Sequence, residues 1–301
     1  MGEEDVRAAG VSAIPDTLCG VAVPRIGLLW MAVSAFMYAT ASLFARFSNN
    51  AATSWQVVFV RCCVQWFLAV CYAKIAHPKV DVWGQPGARL LLVARGGVGI
   101  WGLACFYYAV SKLPLSDATV IFFTNPIWTC AIAWLALGEK IGLPELASIV
   151  ISMAGICFIA KPTFLFGLPP ADGDSGGGGS HGGSRQAEGD GEGGRTFAIV
   201  IALLGAVAAA GANVLIRAMK TSVHYLASVH AFAVAGMILS PVAVLVFQGR
   251  PLLSDQSAWG WELLCGICGF LAQCFMSRGL QLEKAGPASL MRNVDLLFAF
   301  L

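Results

Sequence analysis

A charge carried into hydrocarbon costs several kcal/mol, so ionisable side chains inside long apolar runs are where this sequence has chemistry to offer. Arg292 and Asp295 lead that set. In a helix beginning near Pro287 they lie roughly 8 and 12 Å along the run, three residues apart and on one face. One reading presents Arg292 to an anionic substrate, with Asp295 tuning it or binding a coupling proton. The other is a self-neutralising pair that lets Arg292 snorkel to the surface. Arg61 lies about six residues inside the run at 55–76, with Gln65 one turn further along the same face. They read as a cavity-facing donor pair or as an arginine reaching the surface. Tyr108, Asn125, Asn213 and Gln273 are uncharged polar residues at depth, where such groups face the bundle interior or a wet cavity. Each serves either as a substrate contact or as interhelical glue. Together with Arg61, Gln65, Arg292 and Asp295 they form the candidate substrate-binding set.

Other polar residues are assigned structural roles. Arg95 reads as interfacial, and the Gly96, Gly97 and Gly99 that follow read as close helix packing. Arg46, Arg217 and Arg278 stand near the ends of apolar runs and are expected to snorkel. His224 and His230 are placed at the interface. Trp30, Trp55, Trp83, Trp101, Trp259 and Trp261 suit an aromatic belt. Asn125-Pro126 is sharper, because a proline inside a span breaks the hydrogen-bond ladder and frees a carbonyl that needs a partner.

Enzyme chemistry finds no support: no HExxH, GxSxG or phosphate-loop pattern is present. Most of the ten cysteines lie in apolar runs as small packing residues. Cys265 and Cys268 form a lone CxxC without the second pair that a zinc site wants. No metal or cofactor is expected. A net charge of +2 offers no nucleic-acid surface, so no nucleic-acid partner is expected either.

The elements that must position these residues are membrane helices. The chain is 57% hydrophobic and 12% charged, with a mean hydropathy of +0.73, and a soluble domain carries about twice that charged share. Apolar runs at about 26–46, 55–76, 88–110, 116–137, 143–161, 196–218, 225–247, 259–280 and 287–301 predict membrane spans in an all-α polytopic protein. The sequence GLPPADGDSGGGGSHGGSRQAEGDGEGG at 167–194 cannot bury enough apolar surface to fold. Residues 162–195 are therefore a Gly-rich tether between two halves, 26–161 and 196–301, after a tail at 1–25.

The halves look related. Ala35, Ala39, Ala41 and Arg46 overlie Ala206, Ala210, Ala212 and Arg217 at an offset of 171. Gly99, Ala118, Thr119 and Val120 overlie Gly269, Ala288, Ser289 and Leu290 at 170. A unit of five spans is odd, so its second copy must insert upside down, the plan of many secondary transporters. In that register residue 301 falls within the fourth span of the second copy, and the expectation is a ten-span parent whose last span is missing here. Lys and Arg number nine on the face of the N-terminus against six on the other, which favours a cytoplasmic N-terminus.

Several segments resemble the drug/metabolite transporter superfamily with EamA-type repeats, and more closely solute carrier family 35, subfamily G. They are Arg61-Cys62-Cys63-Val64-Gln65, Arg95-Gly96-Gly97-Val98-Gly99, Tyr107-Tyr108-Ala109 and LPLSDATVIFFTNP at 113–126. Glu139-Lys140, KPTFLFG at 161–167, KTSVHY at 220–225 and QLEKAGPASLMRNVDLLFAF at 281–300 follow in family order. The resemblance implies ten spans with both termini cytoplasmic, a central cavity, and alternating access for a small organic metabolite. It also implies a basic ligand contact early in span nine, where Arg292 falls. The Gly-rich tether departs from the family. A membrane scaffold that keeps the fold without transporting is the second reading. A channel would want rings of charge or carbonyls that this pattern lacks. The expected partners are a small-molecule substrate and the bilayer. A small-xxx-small face could form a homodimer, and the same glycines serve packing within the chain equally well.

Overall fold

Long apolar runs bounded by Gly, Pro and Asn punctuation become helices, and ten of them carry the described residues of the computed structural model. It describes residues 17–18, 21–22, 26–48, 54–76, 78, 80–139, 142–160, 192–220, 222–247 and 259–294. In chain order these are α1 (Ile26–Ser48), α2 (Ser54–Ala76), α3 (Arg89–Lys112), α4 (Leu115–Phe122) and α5 (Asn125–Leu137). There follow α6 (Leu143–Ala160), α7 (Glu192–Met219), α8 (Tyr225–Phe247), α9 (Trp259–Leu282) and α10 (Ala285–Arg292). Ahead of α1, β1 (Thr17–Leu18) and β2 (Val21–Ala22) pair antiparallel, with Thr17 opposite Ala22.

Seven segments among the described residues are long and apolar enough to cross a membrane. They correspond to seven of the nine expected spans. The span expected at 143–161 forms α6, whose apolar stretch Glu145–Ile159 is shorter, and the one at 287–301 is described only as far as residue 294. Leu90, Val93, Trp101, Leu135, Ile151, Phe158 and Leu245 are strongly exposed, as side chains meeting lipid must be. Most of the expected tether lies outside the described residues. Its last four residues do not: α7 already begins at Glu192.

The span at 116–137 is two helices. Phe123 and Thr124 form a turn, and α5 restarts at Asn125 with Pro126 in its first turn, where a missing N–H costs nothing. Thr124 donates its hydroxyl to the Ile121 carbonyl at 2.7 Å, and Thr129 donates to the Asn125 carbonyl at 2.8 Å. Local side chains thus satisfy the backbone near the interruption. Helix α10 also ends after eight residues, with Asn293 in a turn. The continuous helix that put Arg292 and Asp295 on one face is therefore interrupted, and Asp295 lies outside the described residues.

Helix boundaries recur along the chain. Arg89–Lys112 and Trp259–Leu282 differ by 170 at both ends, as do Leu115–Phe122 and Ala285–Arg292. Ser54–Ala76 and Tyr225–Phe247 differ by 171. Packing pairs recur in the same way: α1 lies along α9 and α3 along α7, while α2 meets α8 and α9, and α8 meets α3.

One polar knot ties a single end of the bundle. The Glu139 carboxylate accepts from Arg217 Nε at 2.8 Å and from the Ala285 backbone N–H at 3.1 Å. Arg217 Nη1 donates to the Gln281 carbonyl at 2.9 Å, and Gln281 Nε2 donates to the Val223 carbonyl at 2.8 Å. The ends of α5, α7 and α9 are thereby held to the starts of α8 and α10. Arg217, expected to snorkel, is instead 17% exposed in an ion pair.

Candidate functional site

Two arginines share one tyrosine, and a third is buried close by along α9. Tyr38 stands in the middle of α1, and the guanidinium carbons of Arg61 on α2 and Arg292 at the end of α10 each lie 5.5 Å from its ring centroid. This is cation–π range, and one ring serves two cations. Arg95 on α3 reaches the same helix α9 that borders Arg61. It donates from Nη2 to Gln273 Oε1 on α9 at 3.0 Å and packs over Phe232 of α8 at 4.9 Å. Among the described residues no carboxylate lies within ion-pair distance of Arg61, Arg95 or Arg292.

Glycines make the room. A methyl group at Gly269 of α9 would stand 2.6 Å from Arg61 Nε and 2.9 Å from Gln65 Nε2, so both donors occupy the niche its missing side chain leaves. Gly99 of α3 does the same for Arg95, whose Nη1 would meet an added methyl at 2.9 Å, and for the Phe232 ring. Burial leaves polar atoms without hydrogen-bond partners: Nε of Arg61, Nε and Nη1 of Arg95, and both amide atoms of Gln65. Buried donors of this kind cost free energy unless something binds them.

The structure divides the expected set. Arg61 and Arg292 share Tyr38, Arg61 and Gln65 share the Gly269 niche, and Gln273, one turn along α9, accepts from Arg95. Asn125 and Asn213 are buried, with Oδ1 of the first and Nδ2 of the second unpartnered. Tyr108 lies elsewhere, packing edge-on against Phe197 at 6.2 Å beside Ala109, Leu113, Ala118, Ala198 and Ala202. Asp295 lies outside the described residues.

Arg95 is the principal correction. Read as interfacial, it is 2% exposed and central, because α3 turns that face toward Phe232 of α8, and the side chain reaches on to Gln273 of α9. The signal for it was Gly99, one turn further along the same face. Arg278, expected to snorkel, is also 2% exposed. His230, expected at the interface, is buried with its ring edge-on to Trp83 at 4.7 Å. Trp30 and Trp55, expected in an aromatic belt, stand near the starts of α1 and α2, stacking on Phe275 at 5.4 Å and tilting against Tyr107 at 5.3 Å. Among the described residues no group of three or more His, Cys, Asp or Glu could hold a metal ion.

Several proteins similar to this chain are named as carriers, transport proteins or exporters. Human solute carrier family 35 member G1 is 31% identical over 92% of this chain and 71% of its own length. A Saccharomyces cerevisiae protein called probable transport protein YPL264C is 28% identical over 92% and 80%. The pseudopaline exporter CntI of Pseudomonas aeruginosa is 24% identical over 91% and 85%. One solved crystal structure superimposes over 92% of this chain and 86% of its own with a TM-score of 0.69 at 16% identity, a likeness of fold alone. Relatives named as transporters accord with a sequence that carries no enzyme motif. The model of the EamA-like transporter family matches residues 25–161 and again 196–301, on either side of the Gly-rich segment. With both halves of its helical bundle matched, this integral multi-pass membrane protein belongs to the EamA-like transporter family.

Proposed function

We propose that this chain moves a small anionic organic metabolite, an organic acid or a nucleotide-sugar-like solute, across its membrane by alternating access. The observation that carries this reading is the pair Arg61 and Arg292 over Tyr38, with Arg95 buried beside them on Gln273 of α9, and no carboxylate within ion-pair distance among the described residues. Three cations held together in low dielectric repel one another and forgo water, and a bound anion relieves both costs. Planar guanidinium forks suit carboxylate and phosphate oxygens. Gln65 and Gln273 add neutral hydrogen-bonding groups at the same place.

The bundle has the parts for such a cycle in two inverted repeats, α1–α6 and α7 onward. Three features support this: helix boundaries repeating at 170 or 171, packing pairs that exchange when the halves are swapped, and one family model matching each half. The site lies where both halves meet, as transport between two inverted units requires. A relative named as an exporter supports solute movement, and the N-terminus is placed in the cytoplasm on the Lys and Arg count.

The test is uptake by the full chain in liposomes, offered labelled organic acids, nucleotide sugars, and neutral and cationic solutes. Anions are expected to enter. Entry of neutral or cationic solutes alone would overturn the anion assignment, and no entry of any solute would leave the non-transporting scaffold.

A further inference from the structure

One buried carboxyl has no part in the arginine cluster. Glu262 sits one turn into α9 and is 0% exposed, as are Ser48 at the end of α1 and Gln56 at the start of α2. Its Oε1 accepts from the Ser48 hydroxyl at 3.4 Å and from Gln56 Nε2 at 3.2 Å. Its Oε2 has no hydrogen-bond partner, and among the described residues no cation lies within ion-pair distance of it. The corner is closed by apolar packing of Ala41, Val57 and Cys265, with Trp261 against Phe44 and Phe47.

We propose that Glu262 is a proton-binding site that latches this corner of the bundle shut, an inference that rests on the alternating-access reading above. On closing, the carboxylate takes one proton from water of the compartment that the corner faces, forming an O–H bond at Oε2 and a neutral acid. On opening that bond breaks and the proton returns to water; no electron moves. The acid keeps both hydrogen bonds at Oε1 and sheds the charge, and an orphan hydroxyl is far cheaper to bury than an orphan carboxylate. The partial charge at the start of α9 favours the ionised form, but this is weaker than desolvation at a fully buried site. Separating α9 from α1 and α2 would break both donations and let water in, which favours the carboxylate.

The groups facing Glu262 are few. On its own helix the titratable group one turn further along the same face is Cys265, buried against Ala41 and Val57. From α1 comes Ser48 and from α2 Gln56, neither of which titrates, and the side chain of Arg46 lies outside the described set. The equivalent corner at the other end of the bundle is Leu92, Met219 and Ala227, reached by the same shifts of 170 and 171. None of those three side chains titrates, and the Glu139 carboxylate in the polar knot at that end is paired with Arg217 at 2.8 Å. A buried carboxyl without a cation partner among the described residues thus marks only the Glu262 corner of the two.

The test uses the full chain in liposomes at a series of pH values, with two readouts. Infrared spectroscopy follows the carboxylic-acid C=O stretch, and labelled-anion uptake follows transport. In the wild type the band titrates, and the closing equilibrium shifts about tenfold per pH unit on its steep limb, as one bound proton requires. Glu262→Gln, isosteric with the acid, is expected to lose the band and flatten the pH profile of uptake. Ser48→Ala, which keeps the carboxyl and removes one donor, is expected to raise the band's frequency, so the proposal stays testable if Glu262→Gln fails to assemble. A band that survives Glu262→Gln, or ignores Ser48→Ala, overturns the latch while uptake leaves transport standing. A titrating band sensitive to both variants with no anion uptake upholds proton binding and sinks the transport reading.

Discussion

Two corners of this bundle share a scaffold and differ in chemistry. At one end the start of α3, the end of α7 and the start of α8 meet through Leu92, Met219 and Ala227 within an apolar cluster that includes Met31, Ile216 and Leu280. At the other the start of α9, the end of α1 and the start of α2 meet through Glu262, Ser48 and Gln56. The first is held by burial, at about 25 cal/mol per Å² of apolar surface, and its three side chains carry no charge. The second is held by hydrogen bonds worth about 0.5–1.5 kcal/mol each, and its carboxyl has a charge to hide. Equivalent helix ends thus give a fixed seal and a conditional one. The arginine cluster repeats the lesson. Gly269 makes room for Arg61 and Gln65, while its counterpart Gly99 makes room for Arg95 and for Phe232, which stands where the repeat would place Arg61.

The contrast can be broken on purpose. Leu92→Glu puts a carboxyl into the apolar corner without the two donors that Glu262 enjoys. A loss of about 3–5 kcal/mol is expected, read as a collapse of folded yield and melting temperature in detergent. Gly96→Ala comes next: its methyl would stand 2.5 Å from the Ala231 carbonyl oxygen, a backbone atom that cannot step aside. About 1–3 kcal/mol is expected, measured as an earlier thermal transition. Ser48→Ala removes one of two donors to Glu262 and is expected to cost about 0.5–1.5 kcal/mol. Gly97→Ala has nothing within 4 Å of the added methyl and should shift the melting temperature least, within about 0.5 kcal/mol. If adjacent Gly96→Ala and Gly97→Ala melted alike, the close α3–α8 approach would be wrong.

Much of the fold was legible because hydrocarbon demands long apolar runs and internally satisfied backbones. The ends of α2, α3, α8 and α9 fell within a few residues of expectation, and Asn125-Pro126 announced the break between α4 and α5. The matching break at Asn293 carried no proline and went unseen. The site was half legible: Arg61, Gln65, Gln273 and Arg292 are polar at depth, and they border one stretch of the bundle. Tyr108 is polar at depth too and packs elsewhere, because depth along a helix says nothing about which neighbour its face meets. Arg95 and Glu262 lie near the starts of their helices, where a charge normally reaches the surface. Only tertiary packing, with α7, α8 and α9 laid over α1, α2 and α3, buries them.

The most direct test of the account is equilibrium binding of a labelled organic acid to the purified full chain, comparing Arg61→Gln, Arg95→Gln and Arg292→Gln with Tyr108→Phe. Each arginine substitution is expected to weaken binding about tenfold or more, roughly 1.4 kcal/mol, while Tyr108→Phe leaves it unchanged. Affinity that survives loss of all three arginines, or falls as far with Tyr108→Phe, would contradict an anion site centred on Tyr38.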